Sequence, residues 1–303
     1  MKKKILAAVD GSIYSSNSLD YLILLFRQNQ DFNVDLFAAV SSGCGDQNWM
    51  SDSDAQRLVQ QRKTRAEKYL RDAQERLIRN GFSEENITTF AHTSGEGITN
   101  SIHHFAEKNF YDALLIGRRG VGRVGEMLLG SVSADLVRKC HEIPIWIIDG
   151  KVTSTRFLLA VHTCTHSLMA ADHLAFIFRD NPKAEVYIYH SLSAFGSTPP
   201  AEAEEFHSRW GAKWCETHLD LDTCLYKAHS RILIENGIPE ERIVHLPPRR
   251  GIHPSHDLLR QAKKHKCGTI VIGRRDRVDK GFLGGVSDRI TKNAQNIAVW
   301  LIG

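Results

Sequence analysis

Short apolar runs alternate with longer segments of helical period along the whole chain. In the first half the runs cover 4–9, 34–40, 86–91, 113–116 and 143–148, four to seven residues each and rich in Val, Ile, Leu or Ala. That length and composition predict strands of a parallel sheet buried on both faces. Between them lie 14–27, 51–80, 98–108 and 131–140, where Leu19, Leu22, Ile23 and Phe26, and again Leu70, Ala73, Leu77 and Ile78, fall on one helical face. Strand-helix alternation predicts an α/β fold with a parallel sheet and right-handed crossovers. The second half repeats the scheme, with strands near 156–161, 184–191, 242–246, 269–272 and 297–302. Its helical region 200–236 is long, and Trp210 and Trp214 within it are read as core aromatics.

The repetition extends to the letters. Residues 5–12 (ILAAVDGS) match 157–164 (FLLAVHTC), and 113–119 (ALLIGRR) match 269–275 (TIVIGRR). Residues 127–135 (MLLGSVSAD) match 281–289 (GFLGGVSDR), and 143–150 (IPIWIIDG) match 297–303 (IAVWLIG). The order is constant and the offset stays between 152 and 156 residues, so the chain reads as two copies of one unit, 1–150 and 151–303. The polar stretch 149–155 is the joint.

After the fourth strand of the first unit comes a glycine-rich segment, residues 117–131, GRRGVGRVGEMLLGS. Glycines let backbone N–H groups approach a phosphate with no side chain in the way. Ser131 is expected to cap the helix that follows, whose first turn offers free N–H donors and a positive dipole end. The loop leaves the carboxyl end of a parallel strand, where open α/β sheets bind ligands, and Asp10 should end the first strand at the same edge. The spacing is G-x2-G-x9-G-S, at Gly117, Gly120, Gly130 and Ser131. No Gly-Lys-Ser/Thr follows, and the loop is not the G-x-G-x-x-G of a first strand.

With that spacing the sequence resembles the universal stress protein family. The resemblance includes the Val-Asp-Gly-Ser end of the first strand, the helix start near 95–102 and the apolar last strand after Pro144, and it spans both units. It implies a five-stranded parallel sheet of order 3-2-1-4-5 in each unit. It also implies internal pairing of the units through their last strands, 143–148 and 297–302. Family members that bind ATP use residues matching Asp10, Val40, Gly117, Gly120, Gly130, Ser131, Val132 and Ser133. Val40 would contact the adenine, and Asp10 would sit near the ribose or phosphates, with Mg2+ as a companion ion. ATP would order the 118–129 loop, whose Arg118, Arg119 and Arg123 would present a changed surface.

The second unit departs from the pattern. His162 stands where Asp10 stood, Asp276 replaces the second glycine, and Gly285 replaces Ser131. The segment from Gly273 to Gly284 is two residues shorter than that from Gly117 to Gly130. A carboxylate beside phosphates weakens binding, and loss of the hydroxyl removes a hydrogen bond; Arg274, Arg275 and Arg277 offset this in part. ATP is therefore expected in the first unit alone.

Composition and charge narrow the alternatives. The net charge of +4 divides into −1 for the first 150 residues (18 basic, 19 acidic) and +5 for the rest (21 basic, 16 acidic), too little in either unit for nucleic-acid binding. No run reaches the length of a membrane span. The apolar stretch after the first lysines ends at Asp10, too soon for a signal peptide, so a cytoplasmic location is expected. The six cysteines contain no Cys-x-x-Cys and are read as reduced, mostly buried thiols. The expected role is regulatory, with ATP as the ligand and a homodimer of the whole chain as a further assembly. Two other readings stay open. One is slow Mg-dependent ATP hydrolysis through Asp10. The other rests on histidine, 4 in the first unit against 11 in the second, with His162, His190 and His245 at three strand ends as candidate zinc ligands.

Overall fold

A computed structural model describes residues 2–27, 31–43, 51–119, 129–179, 184–193, 202–221, 225–274 and 285–303. The chain divides into two compact units, Met1–Val152 and Thr153–Gly303.

In the first unit β1 (Lys3–Ala8), α1 (Ile13–Phe26), β2 (Phe32–Ser41), α2 (Asp52–Arg79), β3 (Ile87–Ser94), α3 (Ile98–Lys108), β4 (Ala113–Gly117), α4 (Ser131–Lys139) and β5 (Ile145–Ile148) follow one another. All strand pairs are parallel: β3 with β2, β2 with β1, β1 with β4, and β4 with β5. The order is thus 3-2-1-4-5. Ile5, Leu6, Val34, Leu36, Leu114, Leu115, Ile145 and Trp146 are wholly buried, as strands covered on both faces require. Leu19, Leu22, Phe26, Leu70, Ala73 and Leu77 supply the buried faces of the helices that cover them. The strand order reverses direction beside β1, so the crevice at the carboxyl ends of β1 and β4 is the topological switch point.

The second unit runs β6 (Arg156–Ala160), α5 (Thr165–Phe178), β7 (Glu185–Tyr189), β8 (Ser191–Ser193), α6 (Glu204–Trp210), α7 (Ala212–His218), α8 (Tyr226–Glu235), β9 (Ile243–His245), β10 (Arg249–Gly251), α9 (Pro254–Lys264), β11 (Thr269–Gly273), α10 (Val286–Asn293) and β12 (Ala298–Ile302). Parallel pairing of β9 with β7, β7 with β6, β6 with β11 and β11 with β12 gives the same 3-2-1-4-5 order. Two additions distinguish this unit. A short parallel ladder joins β8 to β10 beyond the end of β7. The helical region expected over 200–236 is broken into α6, α7 and α8, with a turn at Gly211, φ +78°. Trp210 and Trp214, expected in the core, are only half-buried and face one another at 6.2 Å between ring centroids.

Candidate functional site

The first unit's switch point is built from four short pieces of chain. β1 leads through Val9 to Asp10, whose Oδ1 accepts the Ser12 N–H at 3.0 Å. Its other oxygen makes no hydrogen bond among the described residues. Gly11 turns the chain at φ +75°, a left-handed conformation that glycine adopts without strain. Ser12 then caps α1, accepting the Ser15 N–H at 3.2 Å.

β4 ends at Gly117, where the chain passes close to α1. A Cβ would lie 2.9 Å from the carbonyl carbon and Cβ of Tyr14, in the first turn of α1. The Gly117 carbonyl accepts the Ser133 hydroxyl at 2.9 Å, and the Gly130 N–H donates to the Arg118 carbonyl at 2.9 Å. These bonds hold the N-terminus of α4 against the end of β4.

Ser131 does not cap that helix. Gly130 is the cap, extended at φ −59°, ψ 151°, and Ser131 is the exposed first helical residue. The first intrahelical bond runs from the Ala134 N–H to the Gly130 carbonyl. The N–H groups of Ser131, Val132 and Ser133 precede it, as in any helix start. Val132 is half-buried and Ser133 buried. Val40, with its side chain 5% exposed, lies opposite Thr93 one residue before the end of β2. Gly120 and Arg123 lie outside the described residues.

The two arginines after Gly117 part company. Arg118, expected to join a changeable surface, is 2% exposed and pairs with Asp149 at 3.2 Å, just beyond β5. Burial lowers the Arg118 pKa, and Asp149 works against that shift. Arg119 does face the switch point: its Nη1 donates to the Tyr14 hydroxyl at 3.3 Å.

Three residues of α2 were not legible as site residues. Arg62 donates from Nη1 to the carbonyls of Ser41 and Gly43, at 3.2 and 3.1 Å. Arg65 donates from Nε to the Tyr69 hydroxyl. The Tyr69 ring lies over Gly11, so close that a Cβ there would meet three ring carbons at 2.5–2.6 Å. The 62-65-69 spacing puts all three on one helical face, but that spacing alone does not show what the face meets.

At the corresponding edge of the second unit the chemistry differs. The His162 N–H donates to the Ser167 hydroxyl, 2.8 Å, and Cys164 occupies the α5 cap with no side-chain bond. His162 and His190 meet edge to face at 5.7 Å between centroids. His190 is buried, and desolvation, reinforced by His162, lowers its pKa to about 4. His245 stands elsewhere, against the Tyr226 ring and 2.8 Å from the Ser230 hydroxyl. The three candidate metal ligands thus do not converge, and among the described residues no group of three or more His, Cys, Asp or Glu is placed to hold a metal. Gly285 caps α10 as Gly130 caps α4. Asp276, Arg275, Arg277 and Gly284 lie outside the described residues. Cys140, Cys164, Cys215 and Cys267 are buried free thiols.

Comparison with known proteins assigns the first unit. The universal stress protein family profile matches residues 1–149. These residues belong to the universal stress protein family. A curated relative, the universal stress protein YxiE of Bacillus subtilis (strain 168), is 28% identical over 153 residues, covering 49% of this chain and 99% of that protein. Among solved structures, a universal stress protein from Archaeoglobus fulgidus DSM 4304 superposes with a TM-score of 0.68 at 18% identity, over 99% of this chain and 97% of that one. A protein of unknown function from Pseudomonas aeruginosa PAO1 gives a TM-score of 0.59 at 14% identity, over 99% and 92%. At these identities the two structures show the fold alone, a parallel sheet flanked by helices in each unit. Among the described residues no helix is long and apolar enough to cross a membrane.

Proposed function

We propose that the chain is a tandem universal stress protein that binds ATP in its first unit and acts in regulation through the bound state rather than through fast chemistry. The observation that carries this reading is the convergence at the switch point. Asp10 ends β1 beside β4, and the Ser133–Gly117 and Gly130–Arg118 bonds hold the first turn of α4 against the end of β4, which supports a shared site. A helix N-terminus reached through small residues suits a phosphate chain. Arg119 adds positive charge at the same edge.

Asp10 suits the companion Mg2+. The ion is commonly bound through one or two carboxylates together with the nucleotide's own phosphate oxygens, and among the described residues one Asp10 oxygen makes no hydrogen bond. The second unit, with His162 in that place and no hydroxyl at Gly285, is the degenerate copy.

Titration calorimetry with ATP tests the reading. One site per chain is expected. The double variant Ser131→Ala with Gly120→Asp is expected to remove it, while Ser287→Ala in the second unit leaves it. Two equivalent sites, or binding that persists in the double variant, would refute the assignment. Phosphate release measured on the same samples separates a binder from a slow ATPase.

A further inference from the structure

Sheet order gives the candidate site two ends. β1, with Asp10, lies between β4 and β2. On the β4 side stand Gly117, Gly130 and the α4 N-terminus, all backbone donors and small residues. On the β2 side stands the α2 face with Arg62, Arg65 and Tyr69. A ligand lying across the end of β1 would have the α4 N-terminus on its β4 side and the Tyr69 ring on its β2 side.

We infer that Tyr69 is a specificity-determining residue of this site, presenting its ring to a nucleobase and so selecting nucleotides over bare polyphosphates. The inference rests on the nucleotide reading above and extends it to a residue outside the glycine motif. Tyr69 is half-buried, and its ring sits on Gly11, the residue next to Asp10. Gly11 has both reasons to be glycine: its φ is +75°, and any side chain would displace the ring. Arg65 holds the hydroxyl end of the ring, and Arg62 ties the same helix face to the carbonyls at the end of β2. Gly11 takes up one face of the ring, so the opposite face is the stacking platform for a base, and stacking itself involves no phosphate.

The second unit offers a contrast. Counting back from the Asn-Gly that follows each helix, Asn80-Gly81 and Asn236-Gly237, the position of Tyr69 is occupied by Leu225. Leu225 is fully buried and caps α8 in a left-handed conformation. The platform is therefore a property of the first unit.

The test is calorimetric titration of the full chain with ATP and, separately, with inorganic tripolyphosphate, for the wild type, Tyr69→Leu and Tyr69→Phe. Thermal midpoints without ligand confirm folding. The expected result is that Tyr69→Leu weakens ATP binding about tenfold, the scale of one base–aromatic stack, and leaves tripolyphosphate binding unchanged. Tyr69→Phe, which keeps the ring, should stay close to wild type for both ligands. Equal losses for both ligands in Tyr69→Leu, no loss for either, or a gain for ATP would overturn the inference while leaving the nucleotide site standing. A wild type that binds no ATP would overturn both.

Discussion

The Ser133 hydroxyl donates to the Gly117 carbonyl at 2.9 Å, joining the first turn of α4 to the last residue of β4. The Gly130 N–H completes the closure on the Arg118 carbonyl. Both ends of the glycine-rich segment are thereby fixed relative to one another. In the second unit the matching pair is Ser287 and Gly273, and among the described residues the Ser287 hydroxyl makes no such bond. Ser133→Ala is therefore expected to destabilise the first unit by about 1 kcal/mol, the net worth of one intramolecular hydrogen bond. Ser287→Ala should be close to neutral. Urea midpoints of the two variants make the comparison, and equal shifts would show that the bond contributes nothing particular.

Gly117 and Gly273 make a second internal comparison. A Cβ on Gly117 would stand 2.9 Å from Tyr14 atoms, including its carbonyl carbon. One on Gly273 would overlap more deeply with the backbone of His166 and Ser167. Backbone at a helix start has little room to yield, so overpacking of this kind costs about 1–3 kcal/mol. Gly273→Ala should cost more than Gly117→Ala. Thermal unfolding of both variants measures the order, and the reverse order would mean that α5 shifts more readily than α1.

Arg118 and Asp149 form a buried ion pair at 3.2 Å, with side chains 2% and 14% exposed. Removing one partner strands the other, at about 3–5 kcal/mol for a fully buried pair. Asp149→Ala, which strands the 2%-exposed Arg118, should therefore destabilise by about 3 kcal/mol, while Arg118→Met, which strands the more exposed Asp149, should cost less. Chemical denaturation of the two variants decides, and equal losses would assign the effect to packing.

These contrasts mark what the sequence carries and what it hides. The parallel strands were legible because residues buried on both faces must be apolar throughout, and the glycine spacing located β4, α4 and the switch point. Arg118 and Arg119 were not separable, since neighbours in a polar loop look alike. What sets the buried Arg118 apart is its ion pair with Asp149, far along the chain beyond β5. The Tyr69–Gly11 contact was hidden for the same reason, as it joins α2 to the end of β1. The break at Gly211 was within reach, because glycine inside a helical pattern signals a possible end. His162 and His190 meet because β6 and β7 are neighbours, whereas His245, at the end of β9, lies against the Tyr226 ring and Ser230 hydroxyl of α8.

The buried histidines of the second unit predict how its stability depends on pH. His229 is fully buried, and desolvation lowers its pKa to about 4, against opposing contributions from the Leu225 carbonyl, Ser167 and Asp220. Its contacts form a chain of single donors. The His162 N–H donates to the Ser167 hydroxyl at 2.8 Å, that hydroxyl stands 2.8 Å from His229 Nε2, and His229 Nδ1 lies 2.5 Å from the Leu225 carbonyl. Each group is used once if Nδ1 carries the only proton, which is the neutral imidazole. A second proton on Nε2 would face the serine hydroxyl and force it to turn. In the unfolded chain the same histidine titrates near 6.5. Between pH 6.5 and 4 the unfolded state thus binds more protons, and stability must fall as pH falls through that window. The loss is on the order of 3 kcal/mol for a shift of this size. His190, also lowered to about 4 by burial and by His162, adds to it in the same direction. Above pH 6.5 neither contributes a slope. His229→Gln, which cannot charge, should lower stability at pH 7.5 but flatten the decline between pH 6.5 and 4.5, and adding His190→Phe should flatten it further. Urea midpoints across that range give the slope directly. A slope unchanged in the double variant would place the acid sensitivity in other groups and contradict the assignment of these two histidines as neutral in the folded protein.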